Sequence, residues 1–167
     1  GVTDRLYPER SGESSGEMRE NATMTSGYTM AAKKPLGPIF VTYCSKNKTR
    51  AGGRRRALER YDSPRIRQVH AAASCLGIGV RILSGKYGLL SPEDKVPYYD
   101  HLLRWEEIGH LLPRVSKRLA RERVTSVVYF TRPLRRASAP LAYHALMDAA
   151  CAANGIKMVA IEVDRPG

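Results

Sequence analysis

The sequence predicts an α/β protein: a single domain built on one mostly parallel central sheet of about four strands, flanked by helices. Two observations carry this. Four short apolar runs, rich in β-branched and aromatic residues, alternate with segments of helical apolar spacing. Three of those runs also break into polar loops, and in open parallel sheets ligands sit outside the carboxyl ends of the strands.

Residues 1–34 are rich in Gly, Ser, Glu and Arg and show no sustained apolar period, so they read as a disordered leader. Met24 and Met30 both offer internal starts, which leaves the native status of the leader open. The fold is therefore read from 35–167. "PIFVTYC" (38–44) is the first strand and runs into the basic loop "SKNKTRAGGRRR". A helix follows over 63–78, with Ser63 placed as its cap, Pro64 in its first turn and Gly77 near its end. "GVRILS" (79–84) is the second strand, and 85–100 reads as a polar loop. A helix over 104–122 places Trp105, Ile108, Leu111, Leu112, Val115 and Leu119 near helical spacing, with Pro113 expected to kink or divide it. "VTSVVYF" (124–130) is the third strand, "TRPLRRAS" a second basic loop, 139–154 a helix that starts near Pro140 and stops before Gly155, and 156–163 the fourth strand.

The chain carries a formal charge of +12. The leader is acidic, with Asp4, Glu9, Glu13, Glu17 and Glu20 against Arg5, Arg10 and Arg19, so the domain itself is more basic still. A compact domain of that charge favours polyanions such as DNA, RNA or phosphorylated small molecules. No apolar run reaches the roughly 18 residues of a membrane span. Cys44, Cys75 and Cys151 show no C-x-x-C spacing, so neither a disulfide framework nor a zinc site is expected, and a cytoplasmic setting fits best. The histidines form no metal set, and no motif implies a cofactor.

Three loops fall on one predicted rim. After the first strand, Ser45, Asn47, Lys46 and Lys48 could bind a phosphate, although no P-loop or dinucleotide fingerprint is present. Cys44 reads either as a nucleophile or as a buried structural thiol. Arg54, Arg55 and Arg56, with Arg132, Arg135 and Arg136 of the second basic loop, suit contacts to a nucleic-acid backbone or, alternatively, a solvated surface. In "ILSGKYGLLSPEDKVPYYDHL" (82–102), Gly85 and Gly88 bracket Lys86 and Tyr87, while Ser84, Tyr98, Tyr99 and Asp100 add groups able to bind or move protons. Asp100 reads as a carboxylate that orients water or stabilises a cationic sugar, or as the cap of the next helix.

"CSKNK" together with "ILSGKYGLLSPEDKVPYYDHLL" resembles a widespread bacterial family. Its members carry Cys-Ser-x-x-Lys after the first strand and an "LSAKYGLL…PYD..L" block after the second. The resemblance spans about 39–163 and falls on Cys44, Ser45 and Lys48, on Ser84, Lys86, Tyr87, Gly88 and Leu89, and on Tyr99, Asp100 and Leu103. Gly85 replaces the usual alanine, and Tyr98 is additional. That family is similar in outline to the uracil-DNA-glycosylase-like group, whose Rossmann-like α/β fold binds a base or nucleotide at the carboxyl rim and can cleave N-glycosidic bonds. The "GQDPY"- and "HPSPLS"-type motifs of the uracil enzymes are missing from this chain, so direct uracil excision is not expected.

The resemblance implies an N-glycosidic-bond-cleaving enzyme acting on a modified nucleic-acid base or a nucleotide. Asp100, Tyr99 and Lys86 would be the catalytic group, and Cys44, Ser45, Lys46, Lys48, Ser84, Tyr87, Gly88 and Tyr98 the binding group. The expected partner is nucleic acid, DNA ahead of RNA, or a phosphorylated nucleoside. A non-catalytic nucleic-acid or nucleotide-binding module and a small-molecule nucleosidase are the alternatives.

Overall fold

A computed structural model describes residues 34–164. Residues 1–33 of the predicted leader and residues 165–167 lie outside the described residues. The elements in chain order are β1 (Gly37–Tyr43), β2 (Arg55–Arg56), α1 (Ala57–Arg60), α2 (Pro64–Leu76), β3 (Gly79–Ser84), β4 (Gly88–Leu90), β5 (Lys95–Val96), a 3-10 turn (Trp105–Glu107), α3 (Ile108–Arg121), β6 (Val124–Thr131), α4 (Ala139–Ala153) and β7 (Lys157–Glu162).

The central sheet has five strands in the order β4-β3-β1-β6-β7, and a separate ribbon pairs β2 with β5. β1, β3, β6 and β7 are parallel, and β4 returns antiparallel on β3. This is the predicted α/β architecture with one strand added. β4 lies inside what the sequence reads as loop. It is only three residues long, too short for an alternating pattern to declare itself. Ser84 pairs with Gly88 across a hairpin, and Gly88 takes the left-handed φ of 78° that lets the chain reverse.

The ends of the long helices follow local rules. Ser63 Oγ accepts from the Ile66 amide at 3.3 Å, Pro64 occupies the first turn, and Gly77 closes α2 with φ 67°. Pro113 sits inside α3 without dividing it, and Trp105, predicted on the apolar stripe, is 55% exposed. Leu111, Val115 and Leu119 alone form the buried stripe of α3.

Connection geometry locates the binding edge. From β1 the chain moves to β3 on one side through α2, whereas β3 to β6 and β6 to β7 move the other way through α3 and α4. Right-handed crossovers then place α2 on one face and α3 with α4 on the other. The reversal lies between β1 and β6, and a crevice opens there at the carboxyl ends. The core beneath it is closed by Ile39, Val41, Ile82, Leu83, Val127, Leu146 and Met147, all buried. Among the described residues, no helix is long and apolar enough to cross a membrane.

Candidate functional site

A cleft of about 450 Å³ lies at that reversal. Its walls come from the first loop (Cys44 to Lys48), from the start of α2 (Ser63 to Arg65), from Asp100, His101 and Leu102, and from Arg132, Pro140 and Tyr143 on the far side. The expected convergence of three loops on one rim therefore holds for parts of each. Cys44, Ser45, Lys46, Lys48, Asp100 and Arg132 meet here.

Asp100 is the most open of these groups chemically. It is exposed, lines this cleft and an adjoining one of about 400 Å³, and accepts no side-chain or backbone hydrogen bond among the described residues. It caps no helix: the turn that follows starts at Arg104, whose amide is bonded by Glu107 at 3.1 Å. The capping alternative is thus set aside. In the adjoining cleft, His101 Nε2 and Glu107 Oε2 share a bond of 2.6 Å. Burial tends to raise the pKa of Glu107, and its bonds to Arg104 and His101 outweigh this and hold it below the usual carboxylate range.

Tyr99 and Ser84 are placed differently from the expectation that they face a ligand. Tyr99 is buried, and its hydroxyl shares bonds with Ser84 Oγ at 2.9 Å and with Tyr61 Oη at 2.5 Å. Ser84 is fully buried and accepts from the amides of Lys86 and Tyr87 at 3.2 and 3.0 Å, which holds the hairpin in shape. Both residues brace the site from below. Burial drives the pKa of Tyr99 and Tyr61 well above that of free tyrosine, so both stay neutral and able to donate. Tyr87 is half-buried with its ring set edge-on against Tyr99. Gly88 is buried beside Arg114, away from the cleft. Lys86 is exposed and lines the adjoining cleft, its Nζ 5.5 Å from the Tyr87 ring centre.

The first loop joins this brace. Lys48 Nζ lies 4.5 Å from the Tyr99 ring centre, and burial lowers its pKa, opposed by the charges of Cys44 and Asp100. Cys44 is 4% exposed, and its thiol donates to Tyr143 Oη at 3.5 Å while that oxygen accepts from the Leu103 amide at 3.1 Å. The buried setting accords with the structural reading of this thiol. Tyr143 also crowds position 85. A Cβ on Gly85 would lie 2.8 Å from Tyr143 Oη, so alanine does not fit without a shift.

The basic loops divide. Arg54, Arg55, Arg135 and Arg136 are exposed, as a polyanion contact requires. Arg54 donates to the Lys95 carbonyl at 2.9 Å and lines a third cleft with Arg50 and Tyr98, which is 46% exposed beneath Arg50. Arg56 is held by Glu59 at 2.6 Å and Glu93 at 3.0 Å. The run 49–60 also contains the fully buried Arg60. Its guanidinium donates to the carbonyls of Thr49, Ala51, Gly53 and Val96, so this loop is fastened to the fold.

Arg65 escaped the sequence reading. It is 8% exposed, lines the cleft, and donates to Thr42 Oγ1 and to the carbonyls of Tyr43 (2.7 Å) and Cys44 (3.2 Å). Its only sequence signal is an arginine at the start of a helix, which by itself reads as solvated. Among the described residues, no three His, Cys, Asp or Glu side chains gather as metal ligands. In comparisons with known proteins, no family model matches the chain, and neither a curated protein nor a solved structure matches it significantly.

Proposed function

We propose that the protein hydrolyses the N-glycosidic bond of a nucleic-acid base or nucleotide held in this cleft. The observation that carries the reading is Asp100: a carboxylate at the carboxyl rim of the sheet that, among the described residues, neither caps a helix nor forms an ion pair. Such a group is available to accept a proton from an attacking water and to stabilise positive charge on the sugar. In the step, the water oxygen bonds to the anomeric carbon, the carbon–nitrogen bond breaks, its electron pair leaves with the base, and Asp100 takes the water proton. A bound base would cover the exposed carboxylate and strengthen its field by excluding solvent. Leu102, 52% exposed, and the rings of Pro64 and Pro140 supply apolar wall, and Lys46 and Lys48 supply charge for a phosphate.

A binding module without catalysis is the second reading, and the burial of Tyr99 supports it. A tyrosine that braces the floor cannot clamp a base by stacking. Mass spectrometry of bases released from modified and unmodified DNA, RNA and a nucleotide panel decides between the two, with each reaction run beside Asp100→Asn. The expected result is release that disappears in the variant while folding is unchanged, since Asp100 holds nothing in place. No release from any substrate, with salt-sensitive DNA binding intact in both proteins, overturns the enzymatic reading.

A further inference from the structure

Arg65 presents an unbalanced charge. The residue is more than nine-tenths buried, yet every acceptor its guanidinium meets is neutral, namely one threonine hydroxyl and two backbone carbonyls. Its Nε has no hydrogen-bond partner among the described residues, and the guanidinium carbon lies 3.8 Å from the centre of the Tyr43 ring, a neutral π face. A buried cation without a counter-charge is costly, and structures that retain one supply an anion from elsewhere. The nearby acids do not serve. Asp62 is paired with Arg67 at 3.1 Å, and Asp100 makes no bond to Arg65.

The surroundings of Arg65 add to the positive field. Arg132, at the exit of β6, lines the same cleft, forms no ion pair among the described residues, and is close enough to Arg65 to bear on its charge. Two long helices also begin here. α2, thirteen residues, enters through Ser63 to Arg65, and α4, fifteen residues, enters through Ala139 and Pro140. Helix starts carry partial positive charge and unpaired amides. The α4 start lacks a side-chain cap, for the Ser138 hydroxyl makes no bond to its first turn and only the Ser138 carbonyl accepts there, from the Leu141 amide at 3.1 Å. Lys46 and Lys48 close the remaining side.

We infer that this end of the cleft is a phosphate subsite, in which Arg132 contacts the oxygens at the positive end of α4 and Arg65 supplies the buried charge beneath them. The ligand class is a phosphate ester, from either a free nucleotide or a nucleic-acid backbone. The inference rests on reading the cleft as a nucleotide site, and not on bond cleavage. It assigns Arg65, which no motif singles out, and it separates the phosphate end of the cleft from Asp100, which stands toward the adjoining cleft.

Isothermal titration calorimetry of the full chain tests this with nucleoside 5′-monophosphates, the matching nucleosides and a short single-stranded DNA. Phosphate-bearing ligands should bind about tenfold or more tighter than nucleosides, the scale of one charge-assisted hydrogen bond. Arg132→Gln should remove about that factor while leaving the fold intact, since Arg132 holds no other group through its side chain. Tighter binding of the monophosphate identifies a free nucleotide as the source, and tighter binding of the DNA identifies the backbone. Nucleosides that match their monophosphates, no binding of any phosphate-bearing ligand, or an Arg132→Gln variant that keeps the whole advantage would each overturn the inference. Base release without a phosphate preference overturns this subsite and leaves the cleavage reading standing; phosphate-dependent binding without base release does the reverse.

Discussion

Lys48 Nζ stands 4.5 Å from the centre of the Tyr99 ring, so a cation from the loop after β1 rests on a phenol from the segment after β3. Such a contact contributes about 0.5–2 kcal/mol and couples two segments that are far apart in the chain. Beneath it, the Tyr99 hydroxyl joins Ser84 and Tyr61. The cleft floor is thus a buried polar network, and its members matter for shape before they matter for any ligand.

Tyr99→Phe tests that role. The change keeps the ring under Lys48 but leaves the Tyr61 hydroxyl without its phenol partner, while Ser84 keeps its two amide donors. The expected loss is about 1–3 kcal/mol in urea denaturation, the cost of a stranded buried hydroxyl. A direct catalytic role predicts the opposite pattern: unchanged stability with lost turnover.

Arg60→Lys tests the fastening of the basic loop. Arginine spans four carbonyls through a planar fork, and an ammonium on a flexible stem cannot reproduce that reach. A destabilisation of about 2–5 kcal/mol is expected, because the charge stays buried with fewer partners. Trypsin should also cut faster at Arg50, Arg54 and Arg55. Equal cleavage rates in the two proteins would show that the loop is held by something else.

Arg60 and Arg65 mark where sequence reasoning stops. The strands were legible because apolar runs such as Val41 to Tyr43 and Val127 to Tyr129 are local signals, and the ends of α2 because Ser63, Pro64 and Gly77 act within one turn. Asp100 and Lys48 were legible as candidates because polar loops at the carboxyl ends of parallel strands are where such sheets hold ligands. Arg60 and Arg65 were not, since charge in a sequence signals solvent and the carbonyls that bury them come from other segments. Ser84 and Tyr99 were found as chemistry but not as floor, because which face of a hairpin a side chain takes depends on register and not on residue type.

Lys48 gives a pH signature. Its pKa in the fold is lowered, chiefly by burial, from the ordinary 10.5, with Cys44 and Asp100 pulling the other way. Between the lowered value and 10.5 the unfolded chain binds more protons than the folded one, so this residue makes stability rise with pH across that window. Below the window the burial penalty is fully present, and above 10.5 it is gone. Lys48→Met removes the titration, so the stability difference, variant minus wild type, should be largest near neutral pH and shrink as pH climbs toward 10.5. Paired denaturation curves at successive pH values measure it, and the buried tyrosines, common to both proteins, cancel in the difference. A difference that stays flat across the window would mean that the attraction of Asp100, Cys44 and the Tyr99 ring cancels the burial cost, and the lowered pKa would then be wrong.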